Sequence, residues 1–442
     1  MENKMGTMPM KKLLATMSLP IMLSMLIQAC YNIVDSMFVA RYSQEALAAV
    51  SLAFPIQMLI IAVSVGTAVG VNSLLSRRLG EGRMEEVNKA AQHGILLALI
   101  SAAVFAVFGL SAARAFANLF TTSADIASQA ALYIGIVTVF CFGVFVQIVM
   151  ERIMQATGNA VYNMVMQGIG ALVNIILDPI FIFGLHLDVR GAALATILSQ
   201  GISCIWILRF LTGTHSTLRI RLRNLRPQKK FILPCLALGL APFIMQFTES
   251  ALSISFNTSL LKYGGDTAVG AMTILSSVMQ FSMLPLQGLS QGAQPIISFN
   301  YGAKNIDRVK KAFHLLLRSA ACYSTLLWLL CMLVPQIFIS IFTSDADLAS
   351  YTIWALRIYM AASLLFAVQL ACQQTFIALG NAKTSVFLAL LRKVLLLIPL
   401  IFILPHFVSN PVFGVFVAEP VADTIAVATT AALFFREYKK LG

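Results

Sequence analysis

The stretch Phe120-Thr121-Thr122-Ser123-Ala124-Asp125 returns 222 positions later as Phe342-Thr343-Ser344-Asp345-Ala346-Asp347. Working outward at the same offset, Gly66 and Gly70 pair with Gly288 and Gly292, and Gly158-Asn159-Ala160 pairs with Gly380-Asn381-Ala382. No gap is needed over most of the chain. A repeat of this length predicts two homologous halves that fold alike.

The composition is that of a membrane protein. Hydrophobic residues make up 59% of the chain and charged residues 11%, and the mean hydropathy is +0.85. Such a chain has too little polar surface to face water as a soluble fold. Apolar runs long enough to cross a hydrocarbon core of about 30 Å begin near residues 15, 46, 89, 126, 160, 190, 232, 268, 310, 350, 383 and 411. The prediction is an all-α polytopic membrane protein with twelve transmembrane helices.

The repeat divides these helices into two lobes of six. The N-lobe is predicted at residues 1–214, a basic connector at 215–231 and the C-lobe at 232–442. Because six is even, both lobes enter the membrane in one orientation and form a parallel pseudo-two-fold repeat. Much of the +13 net charge lies in alternate loops, which hold Arg77, Arg78, Arg83, Lys89, Arg219, Arg221, Arg223, Lys304, Arg308, Lys310 and Lys311. By the positive-inside rule both termini are expected in the cytoplasm, and the lipid bilayer, rather than nucleic acid, accounts for the charge.

Five predicted spans carry polar stripes at helical spacing, which predicts a wet central cavity. The stripes are Gln28, Tyr31, Asn32 and Asp35; Gln147, Glu151 and Gln155; Gln167, Asn174 and Asp178; Glu249, Ser253 and Asn257; and Gln287, Gln291 and Gln294. Structural alternatives stand beside this interpretation. The amides could join helices to one another, Glu151 could pair with Arg152, and Glu419 with Asp423 is expected to form a structural network. For Arg392 and Lys393, snorkelling and pairing with carboxylates remain equally open.

Intramembrane acids are costly and therefore indicate function. At the 222 offset Asp35 meets Asn257, Asp178 meets Leu400, Glu151 meets Gln373 and Glu249 meets Ile27. Two lobes that pack alike but carry different ionisable residues are expected to have different roles in transport. Asp35 and Asp178 are therefore predicted to form a proton or cation site in the N-lobe, and Glu249 is predicted to face the shared cavity.

Several motifs resemble those of the multidrug and toxic compound extrusion (MATE) transporters over essentially the whole chain. They are Val34-Asp35-Ser36-Met37-Phe38-Val39, Ala46-Leu47-Ala48-Ala49-Val50, Asn174-Ile175-Ile176-Leu177-Asp178-Pro179-Ile180, Gly292-Ala293-Gln294-Pro295-Ile296-Ile297-Ser298-Phe299-Asn300-Tyr301-Gly302-Ala303, Ala378-Leu379-Gly380-Asn381-Ala382 and Ala418-Glu419-Pro420-Val421-Ala422-Asp423. The acid set is most similar to that of the MepA-like branch of low-GC Gram-positive bacteria. The resemblance implies a bacterial cytoplasmic-membrane antiporter, functional as a monomer, that exports lipophilic cations in exchange for protons or sodium. It implies no enzymatic activity and no cofactor.

The resemblance also implies site residues. Asp35, Asp178 and Asn174 would form the coupling site. Glu249 matches an acid of the NorM-like branch, which completes its cation site with an aspartate in span ten. Span ten of this chain has no such acid, unless Arg357 is counted as an unusual substitute for it. Proton coupling through the N-lobe is therefore favoured over sodium. Substrate is expected to contact Glu151, Glu249, Gln147, Asn32, Ser253, Asn257, Gln287, Gln291, Gln294, Met25, Phe54 and Phe247.

Other classes remain as alternatives. A lipid-linked oligosaccharide flippase of related architecture would need cavity-facing Arg or Lys for a pyrophosphate, and an exporter of an unidentified metabolite is also open. A membrane enzyme would need a catalytic or metal-binding cluster, which the five scattered histidines do not predict. Two unequal lobes with titratable sites favour alternating access over a channel.

Overall fold

A computed structural model describes residues 4–42, 44–121, 123–213, 218 and 227–441, and nearly all of these residues are helical. Among these described residues, nine helices are long and apolar enough to cross a membrane, and two further pairs of helices, bent by 45° and 44°, would each make one span. The helix Lys229–Gly302 holds two of the spans, because the chain reverses at Gly265, whose φ of 65° is left-handed. The described residues thus contain the twelve predicted spans.

The spans are numbered here in chain order. In the N-lobe, spans 1 to 6 are Met10–Tyr42, Gln44–Gly80, Met84–Phe120, the bent pair Ala124–Val139 and Phe142–Ala156, Ala160–Pro179 with its π-helical extension Ile180–Gly184, and Asp188–Thr212. In the C-lobe, spans 7 and 8 are the two halves of Lys229–Gly302, followed by span 9 at Ile306–Leu333 and span 10 at Ala346–Tyr359, Ser363–Leu365 and Phe366–Ala378. Span 11 runs through Ala382–Leu390, the π-helical Leu391–Leu397, Ile398–Ile403 and Leu404–His406, and span 12 is Pro411–Lys440. Short helices lie at Lys4–Thr7 and Gln336–Ile339. Most of the predicted connector, 215–231, lies outside the described residues, and the lobe boundaries stay a prediction.

The sequence repeat is also a repeat of local structure. Ahead of span 4, the Thr121 hydroxyl accepts a hydrogen bond from the Ser123 amide (3.2 Å), and the Ser123 hydroxyl caps the helix by accepting from the Ile126 amide (3.5 Å). Ahead of span 10, Thr343 accepts from the Asp345 amide (3.1 Å), and the Asp345 carboxylate caps the helix by accepting from the Asp347 amide (2.9 Å). A side-chain oxygen at the N-cap satisfies backbone amides that the helix leaves unpaired. Both copies of the repeat therefore begin their helix with a side-chain cap at the same position.

Glycines let the two lobes meet closely. A Cβ added to Gly70 in span 2 would lie 1.9 Å from the Cys235 carbonyl oxygen of span 7, and one added to Gly292 in span 8 would lie 2.7 Å from Cα of Ser18 in span 1. Small residues permit such backbone contact between membrane helices. Each glycine motif therefore packs against the opposite lobe.

The lobes are in direct contact at one end of the bundle, called here the basic end because its loops carry Arg83 and Lys304. There a Cβ on Gly80 would lie 1.9 Å from the Phe299 carbonyl oxygen, and one on Gly302 would lie 2.1 Å from the Arg77 carbonyl oxygen. These two contacts are related by the 222-residue offset. The basic end is thus closed by a pseudo-symmetric seam between spans 2 and 8.

The N-terminal helix Lys4–Thr7 reinforces this seam. The Arg308 guanidinium at the start of span 9 donates to the carbonyls of Met5 (3.0 Å) and Met8 (2.8 Å), and the Asn300 amide also donates to Met5 (3.0 Å). Met5 is fully buried. The residues just ahead of span 1 consequently pack against the C-lobe, although they belong to the N-terminal half of the chain.

Candidate functional site

Two carboxyl groups meet inside the N-lobe. Asp35 lies late in span 1 and Asp178 lies late in span 5, and their side chains are within hydrogen-bonding reach of each other. The Asn174 amide donates to Asp178 Oδ1 at 3.4 Å. The remaining oxygens, Asp35 Oδ1 and Asp178 Oδ2, are buried without a donor. Two carboxylates this close repel each other unless they share a proton, which makes the pair a candidate site for a proton or a cation.

The local sequence brings Asp178 to this place. Pro179, the next residue, has no N–H to continue the helical ladder, and the chain passes directly into the π-helical turn Ile180–Gly184. Such turns recur at functional sites. Asn174 lies one helical turn before Asp178, so both side chains lie on one face of span 5, as the stripe predicted.

Sequence reasoning missed a polar group beside this pair. Tyr133 in span 4 is buried, lies within range of the charges of Asp35 and Asp178, and accepts a hydrogen bond from the Gln57 amide at 3.0 Å. Tyr133 follows Asp125 and Gln129 at four-residue steps, a polar stripe that the sequence reasoning did not use. The repeat could have found it, since the residue at the 222 offset is Ala355.

Glu151 is held by amides from two helices. Gln147 of span 4 and Gln167 of span 5 each donate to one of its carboxylate oxygens at 3.0 Å. The Arg152 guanidinium instead donates to Gln155 at 3.3 Å, and within the described part of the chain no Lys, Arg or His forms an ion pair with Glu151. The carboxylate, in a residue only 7% exposed, is hydrogen-bonded without a counter-cation.

The C-lobe contains a second group of charges, called here the C-lobe cluster: Glu249, Arg392, Lys393, Glu419 and Asp423. Arg392 pairs with Asp423 at 2.6 Å and with Glu419 at 3.5 Å. Lys393 pairs with Glu249 and also donates to the Met245 carbonyl at 2.8 Å. Of the two roles left open for these bases, pairing with carboxylates is therefore the one observed. The expected network of Glu419 and Asp423 is present, and it is centred on Arg392.

The predicted substrate-contacting residues differ in exposure. Asn32, Phe54, Phe247, Glu249, Ser253 and Gln287 are exposed, Met25, Gln147, Asn257 and Gln291 are partly exposed, and Gln294 is buried. An exposed polar side chain in the middle of a span needs water rather than lipid, so Glu249, Ser253 and Gln287 indicate a hydrated cavity between the lobes. Gln294 instead donates to the Val69 carbonyl of span 2 at 3.2 Å and accepts from Gln374 at 2.7 Å. In this conformation it joins the lobes.

Arg357 does not substitute for an acid in the lobe interior. It lines a groove between spans 10 and 12 together with Val417 and Val421. Tyr359, two residues further along span 10, is buried within range of the charges of the C-lobe cluster. Residues two apart on a helix point in nearly opposite directions, so Arg357 faces the outer wall of the C-lobe. Among the described residues, no group of three His, Cys, Asp or Glu side chains is placed to hold a metal ion.

Two six-helix lobes, one of which holds a pair of intramembrane carboxyls, form an arrangement typical of membrane transporters. The MatE family model matches residues 20–180 and 242–433, one segment in each lobe. The chain therefore belongs to the MatE family, the family that its motifs resemble.

Similar proteins agree with this assignment. The multidrug export protein MepA of Staphylococcus haemolyticus is 25% identical over 93% of this chain and 91% of its own. MepA of Staphylococcus aureus strain MSSA476 is 22% identical over 92% of this chain and 88% of its own. Among solved structures, a MOP superfamily transporter from Pyrococcus furiosus superposes with a TM-score of 0.92 at 24% identity, covering 99% of this chain and 98% of that one. The twelve-helix, two-lobe fold is thus confirmed.

Proposed function

We propose that this chain is a multidrug exporter that expels lipophilic organic cations in exchange for protons. The observation that carries the proposal is the Asp35–Asp178 pair in a family of transporters: Asp178 is buried, Asp35 is partly buried, and each has a buried oxygen without a hydrogen-bond partner. The MepA relatives, which are multidrug export proteins, support the export of drugs. No step requires a cofactor or a covalent intermediate.

The pair can change its charge as it exchanges ligands. With both carboxyls ionised, the N-lobe attracts a cation, and a proton taken up by the pair cancels part of that charge and weakens the hold on the drug. Each elementary charge that crosses 100 mV contributes about 2.3 kcal/mol. Entry of one or more protons can therefore drive a cation out against its gradient.

Span 1 connects this change to the closure of the lobes. Asp35 lies near one end of the helix, whereas Ser18, near the other end, lies against Gly292 of span 8. Between them Pro20 interrupts the backbone ladder, which gives the helix a place to bend. Repacking of span 1 when Asp35 is protonated would therefore change the packing at the seam between the lobes.

The cavity wall suits varied planar cations. Phe54 and Phe247 are 55% and 51% exposed, and Phe247 stacks on Phe243 with ring centroids 5.6 Å apart. Aromatic faces attract cations without demanding one shape, and the flexible thioether of Met25 adapts similarly. Glu249 and the amides of Asn257 and Gln287 would add polar contacts.

The placement of charge supports an orientation and a state. If the basic end faces the cytoplasm, as the positive-inside rule predicts, both termini are cytoplasmic and the closed seam blocks access from inside. The structure would then correspond to an outward-open exporter in the bacterial cytoplasmic membrane. All site residues lie within one chain, which is consistent with a functional monomer.

The contacts also favour protons over sodium as the coupling ion. They likewise favour an exporter of cations over a flippase. In the C-lobe, Lys393 and Arg392 already neutralise carboxylates that a sodium ion would need. The same ion pairs occupy the bases that a pyrophosphate would need. Sodium coupling and export of an uncharged or anionic metabolite are outcomes that the following experiment distinguishes.

The test is ethidium transport in proteoliposomes with an imposed proton gradient or sodium gradient. We expect transport with the proton gradient alone, and its loss in Asp35→Asn and in Asp178→Asn. Asp125→Asn, which changes an aspartate in the first turn of span 4, is the matched control and should transport normally. Transport driven by sodium alone, or unchanged proton-driven transport in Asp35→Asn, would refute the proposal.

A further inference from the structure

The C-lobe cluster is a built feature that proton coupling through the N-lobe does not explain. None of its members has an ionisable counterpart at the 222 offset: the opposite residues are Ile27, Gly170, Ala171, Ile197 and Gly201. Five charged groups in a membrane lobe are costly. Their presence in one lobe only indicates a task beyond packing.

The cluster has an accessible side and a buried side. The Glu249 side chain is 60% exposed, whereas the side chain of its partner Lys393 is 7% exposed. The carboxylate therefore faces the cavity while the ammonium reaches it from behind, from span 11. A cation that enters the cavity meets a carboxylate that already has a counter-ion.

The π-helical segment Leu391–Leu397 makes this possible. Consecutive residues on an α-helix point about 100° apart, but the wider π turn lets both Arg392 and Lys393 reach into the lobe. Arg392 is committed to span 12 through Asp423 and Glu419. Of these two bases, Lys393 is the one that pairs with span 7, through Glu249.

The buried side holds a second partner for this lysine. Three carboxyls face two bases, so the cluster has one more carboxylate than it has cations when all are ionised. Glu419 and Asp423 each keep one oxygen buried without a hydrogen bond. Glu419, which is 4% exposed, is the more weakly paired of the two, because it meets Arg392 at 3.5 Å whereas Asp423 meets it at 2.6 Å. Lys393 is already within range of the charge of Glu419.

We propose that Lys393 is a tethered counter-cation that an organic cation displaces from Glu249, and that the released ammonium then pairs with Glu419. The inference rests on the proposed function, because it concerns how that exporter receives its substrate. It assigns Glu249 to substrate and makes Lys393 a positioning residue. The lysine neutralises the Glu249 carboxylate while the cavity is empty. A substrate must carry a positive charge to compete with the lysine for this carboxylate.

Three variants test the exchange, with ethidium as a cationic probe and Nile red as an uncharged one, bound to purified protein. Lys393→Met removes the competitor, so ethidium should bind about tenfold more tightly while Nile red binding stays unchanged. Glu249→Gln should weaken ethidium binding, and the double variant should resemble Glu249→Gln. Lys262→Met, which removes an ammonium near the Tyr263 ring at the far end of span 7, is the matched control and should bind both dyes normally.

Glu419→Gln keeps the proposal falsifiable if Lys393→Met fails to fold. This variant removes the second partner of the lysine, so Lys393 stays on Glu249 and ethidium should bind several-fold more weakly, with Nile red unaffected. Equal ethidium affinity in the wild type, Lys393→Met and Glu419→Gln would overturn the inference, as would equal effects on both dyes. Failure of the proposed function looks different, because the wild type itself would then bind no ethidium or fail to transport it.

Discussion

A single methyl group at the interlobe seam should change the balance between the two conformations of this transporter. In Gly80→Ala the new Cβ would lie 1.9 Å from the Phe299 carbonyl oxygen of the other lobe. A relaxed C···O contact is about 3.3 Å, so the backbones of spans 2 and 8 would have to part by about 1.4 Å. Overpacking of this kind costs about 1–3 kcal/mol. That cost lowers the population of the conformation closed at the basic end by about 5- to 150-fold relative to the open conformation.

The assay is a distance measurement between spin labels at Glu85→Cys and Asp307→Cys, in a background without the seven native cysteines. Both positions are exposed at the basic end, one in each lobe. Gly80→Ala should add a population with a longer distance. Gly168→Ala is the control, because a Cβ there meets no atom within 4 Å, and it should keep the original distribution. If both variants give the same distribution, the seam does not hold the lobes closed.

Three further substitutions test individual contacts. Glu151→Gln breaks a carboxylate clamp made by two glutamines and should weaken ethidium binding about tenfold; unchanged affinity in a fluorescence titration would leave the residue a structural role. Arg308→Ala removes the donors that hold the N-terminal helix and should lower the melting temperature by several degrees, whereas Lys311→Ala, on the exposed face of span 9, should not. Asp423→Asn leaves the Arg392 guanidinium, whose side chain is 15% exposed, without its nearest carboxylate and should cost about 3 kcal/mol, the lower end for a buried pair; a stability equal to that of the exposed-site control Asp347→Asn would contradict the ion-pair geometry.

Much of the fold could be predicted because the membrane restricts the choices. A spanning segment must satisfy its own backbone, so apolar length indicates a helix almost by itself, and the 222-residue repeat then fixes the two lobes. The breaks inside spans were harder. The π-helical turns at Ile180–Gly184 and Leu391–Leu397 follow from local packing, which no hydropathy pattern records.

The candidate site was predictable where its members lie on one helix. Asn174 and Asp178 are one turn apart, and their hydrogen bond follows from that spacing. Contacts between helices depend on rotations that the sequence does not encode locally. For this reason sequence reasoning missed Tyr133 and did not predict that Glu249 pairs with Lys393.

Proton release on substrate binding tests the central claim most directly. Ethidium is added to purified, weakly buffered protein, and the released protons are followed with a pH-sensitive dye at a pH where the pair is protonated. If Asp35 and Asp178 share a proton that a cation displaces, the wild type should release about one proton for each ethidium bound, and the Asp35→Asn, Asp178→Asn double variant should release none. Binding of ethidium by the wild type without proton release would contradict the account.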